Sequence, residues 1–222
     1  MHLFVKSFLI LLCFVAVMHT VHGQYVPYAY DESSEDEEVP EKYFIRLGIT
    51  PTSFFNDYAG LQVNSSIVFS DRFHLTTEGC WIFYTLTSDE FSIRGYRLRP
   101  ALRYYLNPSA DIKTHFSIGY NYRKTTSQRL AEFITGAYKN PITRFQQRRV
   151  LQGPVLMAGF EFFTSEVVLM DMGIGFGRGT LEVTDHNGPD GQRIYADYIE
   201  YDQPGNYDFT LFIINFRVQH LF

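Results

Sequence analysis

The sequence FTLFIINFRVQHLF, from Phe209 to Phe222, decides the fold. Every second residue, counted back from Phe222, is large and mostly apolar, whereas Arg217 and Asn215 lie at positions between them. The residues on the apolar side are Phe212, Ile214, Phe216, Val218, His220 and Phe222. A repeat of two belongs to a β-strand, because successive side chains of a strand point to opposite faces. We therefore expect a strand with one face in hydrocarbon and the other in a wet environment.

The same alternation recurs in seven earlier segments, which brings the predicted number of strands to eight. It is clearest from Tyr96 to Leu106, where Arg97, Arg99 and Arg103 alternate with apolar and aromatic residues. Pro100 lies on the apolar side of this segment and predicts a local bulge or kink, because proline cannot donate to a strand ladder. The seven segments are residues 43–50, 61–69, 73–83, 96–106, 115–123, 156–162 and 168–177.

The connections between these segments alternate in length. Short polar turns are predicted at residues 70–72, 107–111 and 164–166, and longer loops at 85–95, 125–147 and 182–208. Among the connections of the second set, only residues 51–57 are short. An even strand number with turns at one end and loops at the other is the topology of a membrane-spanning barrel. The sequence thus predicts an all-β fold, an eight-stranded antiparallel up-and-down transmembrane β-barrel.

Aromatic residues near the predicted strand ends favour the membrane barrel over a soluble lipocalin-like barrel or β-sandwich, which would show the same alternation. The chain holds 16 Tyr and 21 Phe, and aromatic side chains concentrate at both membrane interfaces of such barrels. The predicted turn-side girdle is Tyr43, Phe69, Phe73, Tyr104 and Phe222. The predicted loop-side girdle is Trp81, Phe83, Tyr96, Tyr120 and Phe176.

The terminal strand with its aromatic last residue resembles the C-terminal strand of Gram-negative outer-membrane β-barrels. Residues 43–222 are similar in architecture to the small porin-family barrels, among them outer membrane proteins A and X. The resemblance implies a location in the outer membrane, and an assembly signal in Phe216 and Phe222 that the barrel assembly machinery reads during insertion. It also implies a structural, adhesion or accessory role. His220 departs from the usual pattern, in which a more hydrophobic residue stands near the end.

The N-terminal segment has the layout of a secretory signal peptide. Lys6 is its only charge, Ser7 to Met18 form an apolar core, and small residues precede a cleavage site near Gly23. The alternative is a single membrane anchor over residues 3–21. We expect a signal peptide at residues 1–23, an acidic disordered periplasmic leader at 24–42 and the barrel at 43–222, because the run DESSEDEEVPE cannot bury a core.

If the apolar face is in lipid, the polar face collects six arginines and three carboxylates in the lumen. An eight-stranded barrel is just wide enough for side chains to fill it. These charges therefore predict an ion-pair network across a filled lumen, with a narrow anion-preferring pore as the alternative. The predicted lumen network is Arg46, Glu78, Arg97, Arg99, Arg103, Arg123, Glu161, Asp171 and Arg217.

The predicted loops carry residue types that anchor interfaces. Arg144, Tyr195, Tyr198 and Tyr201 are the candidates for recognition, since Tyr and Arg bind at low entropic cost. Arginines near the outer leaflet would also pair with lipopolysaccharide phosphates. The expected partners are outer-membrane lipid and lipopolysaccharide, the barrel assembly machinery, and a larger outer-membrane complex. The net charge of −5 gives no indication of nucleic-acid binding.

No motif in the chain predicts a catalytic centre, a cofactor or a metal. The glycine run from Gly173 to Gly179 continues in strand rhythm, whereas a nucleotide-binding loop would be followed by a helix. The segment from Asp185 to Gly191 resembles a calcium loop, but Pro189 stands where an oxygen ligand is needed. A lipid A modifying enzyme is the less favoured alternative, since no Ser–His pair is singled out at the loop end.

Overall fold

A computed structural model describes residues 45–55, 58–85, 91–131, 133–135, 138–139, 143–186, 192–193 and 203–221. The strands in chain order are β1 Ile45–Ile49, β2 Tyr58–Val68, β3 Phe73–Thr85, β4 Phe91–Tyr105, β5 Ile112–Ala131, β6 Phe133–Thr135, β7 Tyr138–Lys139, β8 Thr143–Ser165, β9 Val168–His186, β10 Gln192–Arg193 and β11 Gly205–Leu221. Eight of them close into a barrel, while β6, β7 and β10 form a separate three-stranded sheet.

Every barrel strand pairs antiparallel with the next one around the ring, in the order β1-β11-β9-β8-β5-β4-β3-β2. The ring closes where β1 meets β11, with Leu47 opposite His220 and Ile49 opposite Val218. The structure therefore confirms the all-β, eight-stranded antiparallel up-and-down barrel. Closure leaves no free sheet edge along these paired stretches, which is what a β-structure needs in lipid.

The two faces of the wall differ in chemistry as the alternation predicts. The outer face exposes large apolar side chains, among them Ile118 (59%), Ile174 (60%) and Phe212 (69%). Trp81, the single tryptophan, is 72% exposed on the same face. The inner face holds buried Arg, Glu, Asp, Asn and Gln side chains. A soluble barrel would have the reverse arrangement, so the outer face of this barrel is suited to hydrocarbon.

Strand β1 is short, and a helical turn replaces it in the loop-side half of the barrel. The strand ends before Pro51, whose ring fixes φ and removes a ladder donor. A 3-10 helix, Pro51–Phe55, follows. Hydrogen bonds hold this helix to the strands on both sides. Ser53 Oγ donates to the Gly60 carbonyl of β2 at 2.7 Å, and the Phe216 amide of β11 donates to Thr52 Oγ1 at 3.3 Å. Among the described residues, no helix has the length and apolarity needed to cross a membrane.

Several strands run further toward the loops than predicted. The loop expected at residues 125–147 is largely a hairpin extension, because β5 and β8 stay paired from Ile112–Phe162 to Ala131–Thr143. Arg144, predicted to lie in a loop, is instead part of β8 and pairs with Leu130. The sequence did not predict this part of the strands because its residues are mostly polar. The alternation of apolar and polar residues continues only as far as the apolar part of the outer face.

The structure shows no register shift at Pro100, so the predicted bulge is absent, although β4 and β5 have no paired residues at Arg99 and Pro100. Pro100 pairs with Thr77 of β3, and the register of β4 against β5 is the same at Leu98–Tyr122 and at Ala101–Gly119. The side chain of Pro100 is exposed on the outer face, and the wall keeps its register through this position. The register shift of this strand pair lies near its loop end, between Phe91 and Arg94.

Two inward glycines of β9, Gly175 and Gly177, lie against apolar side chains of β8. A Cβ at Gly175 would lie 2.7 Å from Cγ of Met157, and one at Gly177 would lie 2.6 Å from Cγ1 of Val155. These glycines therefore adjoin an apolar part of the lumen wall.

We expect Gly153→Ala to destabilise the barrel by about 1–3 kcal/mol, because overfilling a packed site forces backbone shifts. A Cβ at Gly153 would lie 3.0 Å from the carbonyl carbon of Arg178 and closer to its oxygen. Gly79→Ala is the matched control, since a Cβ there would have ordinary contacts at 3.8 Å and 4.0 Å. Urea titration in phospholipid bilayers measures both variants, and equal losses of stability would contradict the prediction.

Candidate functional site in the barrel lumen

Glu161 of β8 is the first centre of the charged lumen network. Arg46 Nη1 donates to its Oε1 at 3.0 Å, and Arg103 Nη1 donates to its Oε2 at 3.2 Å. The hydroxyl of Tyr105 also donates to Oε2, at 2.6 Å. Strands β1, β4 and β8 thus meet inside the lumen at one buried carboxylate.

Asp171 of β9 is the second centre and shares Arg103 with the first. Arg103 Nη2 and Arg217 Nη1 donate to Oδ2 of Asp171 at 2.7 Å and 2.6 Å. Nε2 of His115 lies 3.0 Å from the other carboxylate oxygen. Arg217 lies directly opposite Asp171 in the β9–β11 ladder, so the strand register sets this pair.

Glu78 of β3 is the third centre, and Arg217 joins it to the second. Arg99 Nη1 donates to Oε2 at 2.9 Å, as does Gln62 Nε2 at 2.8 Å. Asn215 Nδ2 donates to Oε1 at 2.7 Å, and Arg217 forms an ion pair with the same oxygen. The three carboxylates and their arginines form one continuous buried network that spans the lumen between opposite walls. Such a network needs every partner, because a buried charge left unpaired is costly.

The loop-side half of the lumen has a cationic wall. Arg97 donates to Oε1 of Gln62. The guanidinium of Arg123 lies over the Tyr58 ring, 4.3 Å from its centroid, and Arg149 Nη1 donates to the Tyr58 hydroxyl at 2.9 Å. Arg97 and Arg123 are direct neighbours across the β4–β5 ladder. Stacking on the Tyr58 ring and hydrogen bonds to Gln62 and Tyr58 help to hold these arginines in place.

The opposite wall of this half is apolar, which the sequence interpretation missed. The cluster consists of Leu151, Val155, Met157, Leu181, Val183, Leu211 and Ile213. The alternation could have predicted this wall. Each of these residues is an even number of positions away from Glu161, Asp171 or Arg217 on its own strand, and therefore faces the lumen as they do. The turn-side half of the lumen is therefore polar throughout, whereas the loop-side half has one cationic wall and one apolar wall.

A cavity of about 460 Å³ lies between the two walls. Arg97, Arg99, Asn121 and Arg123 line its polar side, and Leu151, Leu181 and Leu211 line its apolar side. No Asp or Glu is among the described residues that line it. A volume of this order is in the range of small-molecule sites.

The structure places the predicted network residues in the lumen, with Arg123 only partly buried. Arg97 and Arg123 line the cavity. The other four arginines of the set form ion pairs with the three carboxylates. Arg144 is exposed and Phe216 is half-buried. Phe222, Tyr195, Tyr198 and Tyr201 lie outside the described residues, as do Tyr43 and the segments predicted to be signal peptide and leader.

The described part of the chain contains no cluster of His, Cys, Asp and Glu that could hold a metal ion. The two histidines of the turn-side lumen, His74 and His115, flank Tyr105, with ring centroids 4.5 Å and 5.7 Å from it. Their surroundings in the lumen are the ion-pair network and an aromatic stack.

The fold and the lumen together define a small β-barrel with a lipid-facing exterior and a charged interior. No protein-family model matches the sequence, and the search of curated proteins gives no significant match. Among solved structures, the crystal structure of Neisserial surface protein A is similar, at 11% sequence identity and a TM-score of 0.38. The alignment covers 80% of this chain and 94% of that chain. At this TM-score we base no argument on the likeness, and the fold class rests on the strand pairing described above.

Proposed function

We propose that this chain is an integral outer-membrane β-barrel whose lumen is closed, and that it acts as a structural, adhesion or accessory protein through its extracellular end. The observation that carries the proposal is the continuous network through Glu161, Asp171 and Glu78, which occupies the lumen with paired, buried side chains. The apolar outer face and the aromatic residues near its borders support the membrane location.

The proposed contact with lipopolysaccharide rests on basic side chains beyond the loop-side aromatic border. Arg94, Arg144 and Arg178 are exposed there, and Arg178 forms an exposed ion pair with Asp208 at 2.9 Å. Guanidinium groups at this level suit phosphate groups of the outer leaflet. The recognition role of Tyr195, Tyr198 and Tyr201, contact with a larger outer-membrane complex, and the assembly role of Phe216 and Phe222 remain predictions.

We propose a non-enzymatic role. His74 and His115 are buried in the turn-side lumen, away from the outer leaflet that a lipid A modifying enzyme would have to reach. His115 is also engaged with Asp171. Altered lipid A mass on overexpression of the protein would contradict this part of the proposal.

A narrow anion-preferring pore is the second candidate, and the cationic loop-side wall of Arg97, Arg99 and Arg123 favours it. Single-channel recording in a planar bilayer separates the two functions. We expect no stable conductance steps from the wild-type barrel, because the ion-pair network fills the turn-side lumen. Stable anion-selective steps would contradict the closed barrel. Heat-modifiable gel migration of the same preparation checks that the recorded protein is folded.

A further inference from the structure

Three basic residues are neighbours on the outer face of the barrel, at its loop-side aromatic border. Arg94 of β4, Thr126 of β5 and Arg148 of β8 lie directly opposite one another across two strand ladders. Lys124 is on the same face of β5, two positions nearer the membrane than Thr126. Neighbouring strands are about 4.8 Å apart, and alternate residues of one strand are about 7 Å apart. The three long side chains can therefore reach one bound group from three sides.

These cations have no ion pair with a carboxylate among the described residues. Lys124 lies between Tyr96 and Val150 in the ladders, and Arg148 lies between two threonines. On this face, the acidic residue that the register places closest is the exposed Glu182, which lies opposite Val150. The surface is thus basic at its centre, with a single carboxylate at its edge among the residues that the structure describes.

Tyrosine rings show the depth of these cations relative to the membrane. Tyr96 is directly across the ladder from Lys124, and Tyr122 is two positions nearer the membrane on β5. The two rings lie 5.9 Å apart between centroids. On β4 the apolar outer face begins at Leu98, which is 45% exposed. Because tyrosines of membrane barrels lie at the level of the lipid head groups, the three cations are at the depth of lipid phosphates.

A polar pocket of about 380 Å³ lies on the side of the cations that faces the loops. The described residues that line it are Ser92, Arg94, Thr126, Ser127, Gln128 and Gln146. Gln128 and Gln146 are opposite each other in the β5–β8 ladder, two positions farther from the membrane than Thr126 and Arg148. Hydroxyl and amide groups both donate and accept hydrogen bonds, which suits the hydroxyls of a sugar.

We propose that this face of β4, β5 and β8 binds one phosphorylated glycolipid of the outer leaflet, of the lipid A type. A phosphate lies among Arg94, Lys124 and Arg148, since hydrogen bonds from Arg and Lys to phosphate are charge-assisted and strong. The sugar lies in the pocket at Gln128 and Gln146, and the acyl chains lie on the apolar outer face. The inference rests on the proposed function and narrows the proposed lipopolysaccharide contact to one site.

Titration of the full-length protein with lipid A tests the site. Lipid A that carries both phosphates is added to the detergent-solubilised barrel, and native mass spectrometry counts the bound molecules and gives the dissociation constant. We expect one molecule to bind, with a dissociation constant at least about tenfold lower than that of dephosphorylated lipid A. Equal dissociation constants for the two lipids would overturn the role of the phosphate.

Two competitors distinguish the glycolipid from simpler phosphates. Glucosamine 1-phosphate has the sugar and a phosphate but no acyl chain, whereas dipalmitoyl phosphatidic acid has a phosphate and chains but no sugar. Both should compete poorly with lipid A, because each lacks one of the three contacts. Competition by glucosamine 1-phosphate as strong as that by lipid A would indicate a soluble ligand. Equally strong competition by phosphatidic acid would show that the polar pocket contributes nothing, and either result would overturn the glycolipid.

Substitutions of the cations test the phosphate contact. Lys124→Gln with Arg148→Gln should raise the dissociation constant of lipid A by about tenfold or more, because hydrogen bonds to a charged group are lost. Lys124→Arg with Arg148→Lys keeps both charges and should keep most of the affinity. Arg72→Gln is the control, since Arg72 is exposed at the turn end, where it donates to the Tyr104 hydroxyl at 3.1 Å. Heat-modifiable gel migration checks that each variant is folded.

The outcome separates this site from the proposed function. If the wild type binds lipid A saturably and the double glutamine variant binds it equally well, the lipopolysaccharide contact stands and this site is wrong. If the wild type binds no lipid A, both the contact and the site are wrong. The closed lumen is tested independently by the conductance recording.

Discussion

Replacing Asp171 by asparagine is expected to lower the free energy of unfolding by about 3 kcal/mol, the lower end of the range for breaking a buried ion pair. Asp171 accepts from Arg103 and Arg217 in a buried position, and the neutral amide turns one acceptor into a donor that faces cations. The loss stays at the lower end because Arg103 and Arg217 keep Glu161 and Glu78 as partners. Urea titration in bilayers, followed by the fluorescence of Trp81, measures the difference.

Asp208→Asn is the matched control for this prediction. Asp208 pairs with Arg178 at 2.9 Å, but both side chains are 75% exposed on the outer face. An exposed ion pair contributes at most about 1 kcal/mol, so this variant should unfold close to the wild type. If Asp171→Asn and Asp208→Asn lower the free energy of unfolding by the same small amount, the lumen network does not stabilise the barrel.

Ile118→Arg is expected to lower the free energy of unfolding by about 2–4 kcal/mol, the range for a basic residue at the bilayer midplane. Ile118 is 59% exposed, midway along the apolar stretch of β5 that runs from Ile112 to Tyr122 on the outer face. In a soluble barrel an added surface arginine would be almost neutral. The prediction therefore tests the lipid-facing assignment directly, again by urea titration in bilayers.

Gln128→Arg provides the comparison on the same strand and the same face. Gln128 is exposed, and it lies ten positions further toward the loops than Ile118. The cost of a charge falls to about 0–1 kcal/mol near the interface. Similar stabilities of the two arginine variants would show that the apolar face of β5 is not in hydrocarbon.

The two halves of the lumen differ in how their arginines are held. In the turn-side half, three carboxylates form ion pairs with Arg46, Arg99, Arg103 and Arg217, and we propose that this region closes the barrel. Farther toward the loops, Arg97 donates to Gln62 and Arg123 lies over the Tyr58 ring. Both arginines line the cavity, opposite an apolar wall.

The sequence predicted the placement of individual side chains better than the extent of the strands. Arg46 and Arg217 were expected in the lumen, and both are buried there on the strands that close the ring. The prediction of a loop at residues 125–147 was wrong, because β5 and β8 continue through most of it. Strands outside the membrane need no apolar face, so the alternation did not predict them. Pro100 was expected to disturb β4, yet the ladder keeps its register on both sides of it.

What the sequence alone determined was the period of two, and from it the number of barrel strands, the face of each residue and the excess of arginine inside. These are local properties, since each residue's face follows from its neighbours along the strand. The tertiary structure decided which charges meet. Arg46 and Glu161 are 115 residues apart in the chain, and Arg217 and Glu78 are 139 apart. Such pairs depend on the registers of all the strands between them and on the closure of the ring, as does the cavity.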